Sequence, residues 1–354
     1  MKPKAVALFS GGLDSMLAIK LMIEQGIEVH ALNFLTIFCT CTSKGCMHQA
    51  TKAAKELGVP LKVMNITEEY MEIVKNPKYG RGRGMNPCID CRVFTFRKAR
   101  DFMKEIKAEF IITGEVLGER PMSQRRNAIE IIERESGLSD LILRPLCARL
   151  FDPTRPERMG IVDRNKLLDI QGRKRDRQIA LASKLGINDY PCPAGGCLLT
   201  DRGFSNRLKD LFQYNADYDA SDLHLLKIGR QFRIKESAKL FVGRNEGENE
   251  RLLTFAHPGD YIFDAIDAPS PIGLVRGSIG KKEIDLISSI IARYSDAKIE
   301  ALNSAGSKSM GTTVESLVGT SEGIKVSYRI FPSGEERWVT VKPATEATIS
   351  PLRL

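Results

Sequence analysis

Residues 4–26 constrain the fold more than any other stretch, because they read as a strand, a glycine-rich turn and a helix in immediate succession. Residues 5–9 form a short apolar run of the kind that makes a strand buried on both faces. Apolar residues then recur at helical spacing until Gly26, which is suited to follow a helix end. The turn between them is small and polar and comprises Ser10, Gly11, Gly12, Leu13, Asp14 and Ser15. Free backbone N–H groups and the positive end of a helix dipole meet at such a junction, so the sequence predicts a phosphate cradle.

This turn is not a Walker loop, because the spacing of its glycines differs and the lysine is absent. It resembles instead the PP-loop, SGGxDS, of the ATP pyrophosphatase superfamily. The resemblance implies that ATP phosphates bind at Ser10, Gly11, Gly12, Asp14 and Ser15, that pyrophosphate leaves, and that AMP is placed on an oxygen to be replaced. It also implies that Asp14 helps to hold Mg²⁺, a hard cation that prefers oxygen ligands. The alternative is a glycine-rich turn that binds no ligand.

The first half of the chain alternates predicted strands with predicted helices. Strands are expected at 28–34, 61–66 and 110–113, and helices at 48–57 and 92–106. This alternation predicts an α/β fold, a doubly wound parallel sheet with its ligand at the carboxyl ends of the strands. The PP-loop resemblance places the adenine near Asn33 and Phe34, and the nucleotide beside a loop that begins with Gly114 and Glu115.

The length and composition set broader limits. A chain of 354 residues has room for about two domains, or three. The formal net charge of +9 favours a polyanionic partner, although solvated lysine faces give the same total. No apolar run approaches a membrane span and no signal peptide precedes the first strand, so we expect a cytoplasmic protein without membrane contact. Eight cysteines in such a protein favour catalysis or metal binding over disulfides.

One pair of cysteines, Cys88 and Cys91, has C-x-x-C spacing. The spacing alone fits a redox pair, half of a metal site or a coincidence. With Asn86 and Pro87 the segment resembles the N-P-x-x-x-C motif of the tRNA 2-thiouridylases, in which the last position is the catalytic cysteine. Cys91 matches that position, but Cys88 stands where those enzymes have aspartate. The departure creates a soft chelating pair, suited to an iron–sulfur cluster or to zinc.

A third cysteine of the predicted site lies in residues 190–200, where proline and glycine exclude regular structure. Cys197 resembles the second catalytic cysteine of the 2-thiouridylases, and Cys192 is its rival. Thiolates from Cys88, Cys91 and Cys197 leave one position of a [4Fe–4S] cluster open for chemistry, so we expect this cluster. In the alternative mechanism Cys91 or Cys197 carries a persulfide and the other closes a disulfide. A zinc staple or inert buried thiols are the structural alternative.

The remaining cysteines carry weaker signals. Cys39, Cys41 and Cys46, with His48, are a candidate second metal site on loose C-x-C spacing. Cys147 is expected in the core.

Residues 114–124 and 143–146 resemble segments of the tRNA 4-thiouridine synthetases, which are also PP-loop enzymes. The resemblance implies that Glu115 and Gln124 contact nucleotide or substrate and that Arg120 and Arg144 meet phosphate. Arg144 could equally belong to a simple strand-end turn. The basic run of Arg173, Lys174 and Arg175 is expected to bind tRNA phosphates, or else forms a solvated face.

After Arg207 the pattern changes to strands and turns, and an α+β domain is predicted. The segments K-I-G-R-Q-F-R and K-L-F-V-G-R-N-E-G-E-N resemble the RNA-binding domain of NFACT-type proteins, which implies phosphate contacts at Arg230, Arg233, Lys239 and Arg244. A dimerisation or lid domain is the alternative. The predicted domains are 1–170 with the PP-loop, 171–212 with the basic helix and cysteine loop, and 213–354.

Together these resemblances imply an ATP-dependent tRNA sulfurtransferase, a tRNA-uridine thiolase that adenylates a base carbonyl and replaces its oxygen with sulfur. ATP, Mg²⁺ and a [4Fe–4S] cluster are the expected cofactors, and free sulfide or a persulfide carrier is the expected sulfur donor. The alternatives are an ATP pyrophosphatase acting on a small molecule or carrier protein, with the tail as an oligomerisation module, and a non-catalytic RNA-binding protein. The sequence leaves open the modified base and whether the protein is a homodimer.

Overall fold

The computed structural model describes residues 2–39, 46–190, 197–266, 268–296 and 323–354. The chain divides into two compact units, Met1–Arg202 and Gly203–Leu354. The finer division predicted at residues 170 and 212 stays a prediction.

The first unit is built on a five-stranded parallel sheet. Its strands are β1 (Lys4–Leu8), β2 (Glu28–Leu35), β3 (Leu61–Asn65), β4 (Phe110–Thr113) and β5 (Ile142–Leu143), in the spatial order β3-β2-β1-β4-β5. The chain winds outward from β1 to β3, then crosses to the other side of β1 to form β4 and β5. Such a reversal opens a crevice at the carboxyl ends of the strands. The predicted doubly wound α/β class is confirmed.

Helices cover both faces of this sheet. They are α1 (Leu13–Ile23), α2 (Cys46–Leu57), α3 (Thr67–Lys75), α4 (Cys88–Glu105), α5 (Arg126–Ser136), α6 (Arg155–Arg158) and α7 (Asp176–Lys184). One core layer contains Leu17 and Met22 of α1, and the other contains Phe96 of α4. Helix α4 begins at Cys88 rather than near the predicted residue 92, so both cysteines of the C-x-x-C pair lie in its first turns.

The second unit contains a six-stranded antiparallel sheet. The elements of this unit are α8 (Arg202–Tyr214), α9 (Ala220–Leu225), β6 (Arg230–Lys235), β7 (Ala238–Val242), α10 (Glu246–Thr254), β8 (Tyr261–Ala265), β9 (Gly273–Gly277), α11 (Lys281–Tyr294), β10 (Ile324–Ile330), β11 (Arg337–Val341) and α12 (Glu346–Ile349). The strand order in the sheet is β11-β10-β8-β9-β7-β6. Helix α11 packs on one face over Phe232 and Phe263, and Phe241, Ile262 and Leu274 form a core on the other. The predicted α+β character is confirmed. Among the described helices, none is both long and apolar enough for a membrane crossing.

Candidate active site

The turn between β1 and α1 is held in a fixed shape by its own hydrogen bonds. Gly11 has a φ of +74°, and a Cβ there would lie 3.1 Å from the Ala50 Cα of α2. The Ser15 hydroxyl donates to the Gly12 carbonyl at 2.8 Å, and the Gly12 N–H donates to the Ser10 hydroxyl oxygen at 3.3 Å. The start of α1 therefore presents hydroxyl and N–H groups without a cost of ordering them later.

Gly114 closes the site from the next strand. A Cβ at this position would lie 2.5 Å from the carbonyl group of Asp14 and the amide nitrogen of Ser15. A Cβ essentially never lies this close to a backbone atom that it is not bonded to, so only glycine lets the end of β4 rest on the first turn of α1. This contact brings the loop that follows β4 onto the predicted phosphate cradle.

A cleft of about 320 Å³ lies at the carboxyl ends of β1, β2 and β4. It is lined by most of the predicted ATP residues: Ser10, Gly12, Asp14, Ser15, Asn33, Phe34, Gly114 and Glu115. The Asn33 amide donates to the Phe9 carbonyl at 2.7 Å and so ties β2 to β1, while its buried Oδ1 has no protein partner. An unpaired acceptor in the cleft wall suits a ligand that brings an N–H group, as adenine does.

Four charged side chains gather around the phosphate end of the cleft. The Arg175 guanidinium donates to Asp14 Oδ2 at 3.2 Å, while burial raises the pKa of Asp14 above its ordinary value. Glu119 lies nearby, and its pKa is raised by burial and by the charge of Asp14. Arg120 completes the group. Carboxylates and arginines in one cleft suit a polyphosphate with a divalent cation.

Arg175 and Glu119 lie in the cleft, although the sequence motifs did not predict them there. Arg175 was expected to meet RNA, but it lies in the cleft and pairs with Asp14. The sequence motifs give Glu119 no role, although it lies within the segment 114–124 that resembles the 4-thiouridine synthetases.

Glu115 and Arg144 form a buried ion pair beside the cleft. Arg144 Nε donates to Glu115 Oε2 at 3.2 Å, and Arg92 Nε lies 3.2 Å from the other oxygen. Arg144 also pairs with Glu133 of α5, and it is only 4% exposed. An RNA phosphate has no access to this guanidinium, so the structure gives Arg144 an interior role. Gln124, buried too, accepts a hydrogen bond from the Arg120 N–H and shapes the loop.

A second cluster, the thiol site, comprises Cys39, Cys88, Cys91 and Cys197. The Asn86 amide donates to the Cys88 sulfur at 3.0 Å. Cys91 lies one turn after Cys88 on α4, and its sulfur accepts a hydrogen bond from the hydroxyl of buried Tyr70. Burial raises the pKa of Cys88 and of Cys91, and the positive charge of Arg92 opposes that rise at both sulfurs.

Cys197 reaches the same cluster through backbone pairing. It forms an antiparallel bridge with Cys39, and the Leu198 N–H donates to the Phe38 carbonyl at 3.0 Å. Burial raises the pKa of Cys197 to about 12, with further increases from the charges of Cys91, Cys88 and Cys39. The three predicted thiols are thus brought together, and Cys39 joins them although the sequence analysis placed it in a separate metal site. Cys147 is buried, as expected.

The described side chains of the thiol site do not form a metal ligand set. Within the part of the chain that the structure describes, no three His, Cys, Asp or Glu side chains converge closely enough to hold one metal ion. Cys41 and Cys192 lie outside the described residues, as does the side chain of Cys46. The [4Fe–4S] cluster therefore stays a prediction.

The other predicted RNA contacts differ in accessibility. Arg120, Arg173 and Lys174 are exposed. In the second unit, Arg230 lies over the Tyr294 ring at 4.4 Å, while Arg233 and the buried Lys239 both pair with Asp210, at 2.6 and 2.9 Å. Burial lowers the pKa of Lys239 to about 8. Arg233 and Lys239 are thus committed to an internal ion pair.

Sequence comparison matches part of each unit to a known domain family. Residues 3–133 match the family described as tRNA methyl transferase HUP domain, and residues 229–315 match the NFACT protein RNA binding domain. A tRNA-specific 2-thiouridylase MnmA of Geobacter metallireducens is 32% identical over 133 residues, 32% of this chain and 35% of that protein. The same enzyme of Pelotomaculum thermopropionicum is 34% identical over 128 residues, 32% of this chain and 35% of that protein. The chain thus spans about a third of the length of the curated relatives it matches.

Solved structures show weaker overall similarity. A 4-thiouridine synthetase–RNA complex with bound ATP is 21% identical with a TM-score of 0.36, covering 64% of this chain and 52% of that chain. The U34-tRNA thiolase NcsA from Methanococcus maripaludis, with its [4Fe-4S] cluster, is 16% identical with a TM-score of 0.30, covering 63% of this chain and 69% of that chain. The sequence matches confirm both resemblances that the motifs indicate: residues 3–133 are similar to a HUP domain family, and residues 229–315 are similar to an NFACT RNA-binding domain family.

Proposed function

We propose that the protein is an ATP-dependent tRNA sulfurtransferase that adenylates a base carbonyl, preferably of a uridine, and replaces the oxygen with sulfur. One observation carries the proposal: the ATP cleft and the thiol site share Arg92. This side chain lines the cleft, and its charge acts on both Cys88 and Cys91. An activated carbonyl formed in the cleft would thus lie beside sulfur nucleophiles.

The first step is activation of the base. The turn at Ser10–Ser15 binds the β and γ phosphates, and Asp14 with Glu119 offers oxygen ligands for Mg²⁺. The base oxygen attacks the α-phosphate, and pyrophosphate leaves with the charge stabilised by Arg120 and Arg175. A carbonyl oxygen is a poor leaving group, whereas AMP is a good one. Adenylation therefore prepares the base carbon for attack by sulfur.

The second step uses the thiol site. We propose that sulfur arrives as a persulfide on a cysteine of the site, because the antiparallel bridge between Cys39 and Cys197 pairs two thiols, as persulfide transfer with a resolving thiol requires. The raised pKa of Cys197, about 12, keeps the resting thiol protonated at neutral pH. The predicted [4Fe–4S] cluster on Cys88, Cys91 and Cys197 is the competing sulfur carrier.

The second unit and the relatives of the chain support tRNA as the substrate class. The matched thiouridylases are named as tRNA-specific, and the second unit matches an RNA-binding domain. Exposed Arg120, Arg173 and Lys174 supply positive charge on the first unit. RNA backbone recognition depends mainly on such charges.

The test of the whole proposal is ATP turnover with tRNA. We expect pyrophosphate and AMP to appear only when unmodified tRNA is present, and digestion of that tRNA should release a thiolated nucleoside. Asp14→Asn should abolish both products, whereas Cys197→Ser should abolish thiolation alone. Turnover without tRNA, driven instead by a small molecule or carrier protein, would favour the alternative ATP pyrophosphatase.

Anaerobic purification with iron and acid-labile sulfide analysis tests the sulfur carrier. Persulfide chemistry predicts full activity without iron. About four irons per chain in the wild type, lost in Cys88→Ala, Cys91→Ala and Cys197→Ala but kept in Cys192→Ala, would replace the persulfide by the cluster.

A further inference from the structure

We propose that Cys39 is a catalytic thiol of the sulfur transfer, the one that resolves the sulfur bond at Cys197 by forming a disulfide with it. The inference deepens the proposed function and rests on it for the chemistry. The geometric part, the pairing of these two cysteines, stands independently.

The backbone sets Cys39 and Cys197 directly opposite each other. They form an antiparallel bridge, and the hydrogen bond between Leu198 N–H and the Phe38 carbonyl joins the neighbouring residues rather than the cysteines themselves. This pattern defines a non-hydrogen-bonded pair, in which the Cα atoms lie about 4.5 Å apart and the side chains point to the same face. A disulfide requires a Cα separation of roughly 4.4–6.8 Å. The pair therefore meets the backbone requirement as it stands.

Contacts with neighbouring residues hold Cys39 and Cys197 in this position. Phe38 is 1% exposed and packs edge-to-face on Tyr70 with ring centroids 5.8 Å apart. On the other side, the Met85 N–H donates to the Leu199 carbonyl at 2.8 Å. The Thr36 hydroxyl lies 3.7 Å from the Cys39 sulfur. Bond formation between the cysteines thus needs side-chain rotation without separation of the strands.

Cys91 is the competing partner, because it lies within electrostatic reach of Cys197. It differs in being carried on the rigid first turns of α4, whereas the antiparallel bridge sets Cys39 directly opposite Cys197. The structure thus favours Cys39.

The chemistry balances with two protein thiols and one persulfide. The outer sulfur of a Cys197 persulfide attacks the adenylated base carbon, and the carbon–oxygen bond to AMP breaks. The base is then joined to Cys197 through a sulfur–sulfur bond. Cys39, having lost its proton to solvent, attacks the Cys197 sulfur, and the bonding electron pair leaves with the thiolated base. The two thiols are oxidised to a disulfide, the transferred sulfur is reduced, and an external dithiol restores the site.

The first arm of the test maps disulfides in the full-length protein without tRNA. The reduced protein is oxidised with diamide, alkylated, digested and analysed by mass spectrometry. Cys39 and Cys41 share one tryptic peptide, and so do Cys192 and Cys197, so Cys41→Ser and Cys192→Ser serve as matched controls. We expect one dominant cross-link, Cys39 to Cys197, retained in both controls and lost in Cys39→Ser. A dominant Cys91 to Cys197 cross-link in the wild type, with Cys39 alkylated, would overturn the inference.

The second arm uses tRNA, ATP and glutathione persulfide as the sulfur source. Cys39→Ser should accumulate a covalent protein–tRNA species that dithiothreitol releases as thiolated tRNA, and its yield of free thiolated tRNA in a single turnover without dithiothreitol should fall at least about tenfold below that of the wild type. Cys41→Ser should behave as the wild type. If Cys39→Ser turns over at the wild-type rate without an adduct, Cys39 has no role in resolution.

The two arms separate the two proposals. A mapped Cys39 to Cys197 disulfide in a protein that never thiolates tRNA would remove the proposed function and leave the pairing. Thiolation with a Cys91 to Cys197 disulfide would remove this inference and leave the function.

Discussion

At the scale of single residues, the candidate site depends on a few positions where size or charge leaves no choice. Gly114 is one, because any side chain would overlap the backbone of Asp14. Arg144 is another, because it neutralises the buried Glu115 from inside the unit. The two positions act differently: one sets the shape of the cleft, and the other maintains its wall.

Replacement of Gly114 by alanine should damage nucleotide binding. The new Cβ would begin 2.5 Å from the first turn of α1, so the loop after β4 has to move away, at a cost of about 1–3 kcal/mol. We expect at least a tenfold loss of ATP affinity by calorimetry. Gly247→Ala is the control, since its Cβ meets only the Asn245 Oδ1 at an ordinary 3.7 Å in helix α10. Equal affinities in the two variants would contradict the proposed close approach.

Arg144→Met and Arg120→Met should separate stability from binding. Loss of Arg144 leaves the carboxylates of Glu115 and Glu133 without a major partner, and breaking such a buried pair costs about 3–5 kcal/mol. Arg120 is exposed at the cleft, so its loss should change the unfolding free energy by less than about 0.5 kcal/mol while weakening ATP binding. Urea unfolding and ATP titration measure the two effects. A stable Arg144→Met protein with impaired tRNA binding would restore the sequence prediction for that residue.

These residues also show how far sequence reasoning reaches. The phosphate turn could be predicted because its chemistry is local: glycines, hydroxyls and a carboxylate lie within six positions at a strand-to-helix junction. The charge pattern assigned Arg144, Arg175 and Arg233 to RNA, because burial and ion pairing are tertiary properties that this pattern does not carry. Cys39 was assigned to a separate site for the same reason, since its partner Cys197 comes from a distant loop.

At the scale of elements, the first turns of α4 organise the thiol site. The helix begins at Cys88, directly after Pro87, and presents Cys88 and Cys91 one turn apart. A helix N-terminus normally lowers the pKa of a thiol, but here burial outweighs that effect. The sequence prediction began this helix four residues later, because the Pro and Gly residues before Cys88 favour a loop reading.

Tyr70→Phe should make Cys91 less reactive. The Tyr70 hydroxyl lowers the pKa of Cys91 by donating to its sulfur, so removing it raises that pKa further above its already raised value. At a fixed pH below the pKa, a higher pKa means less thiolate, and the pH profile of Cys91 alkylation should shift toward higher pH. Iodoacetamide labelling followed by peptide mass spectrometry measures the rate at Cys91. Cys147, which burial also protects, is the internal reference, and its rate should stay unchanged.

A Cys91 rate in Tyr70→Phe that equals or exceeds the wild-type rate would contradict this stabilisation of the Cys91 thiolate by the Tyr70 hydroxyl.

At the scale of the whole molecule, a unit that contains the match to the HUP domain family is joined in one chain to a unit that contains the match to the NFACT RNA-binding domain family. The doubly wound parallel sheet of the first unit was predictable from the alternation of strands and helices. The second unit was predictable only as α+β, because antiparallel strand order depends on pairings between distant segments. Its basic residues illustrate the same limit, since Arg233 and Lys239 neutralise Asp210 instead of facing solvent.

The exposed basic residues of the first unit predict that tRNA binding by the full-length chain depends on salt concentration. Arg173 and Lys174 lie just before α7 and are exposed, unlike Arg175, which pairs with Asp14. Each phosphate contact contributes about 0.7–0.9 to the slope of log affinity against log salt. The double variant Arg173→Gln/Lys174→Gln should therefore reduce the slope by about 1.5 and weaken binding most at low salt. Lys104→Gln, at the exposed end of α4, should leave the slope unchanged. If the double variant and Lys104→Gln give the wild-type slope, residues 173 and 174 form a solvated face, and the charge that attracts tRNA lies elsewhere in the chain.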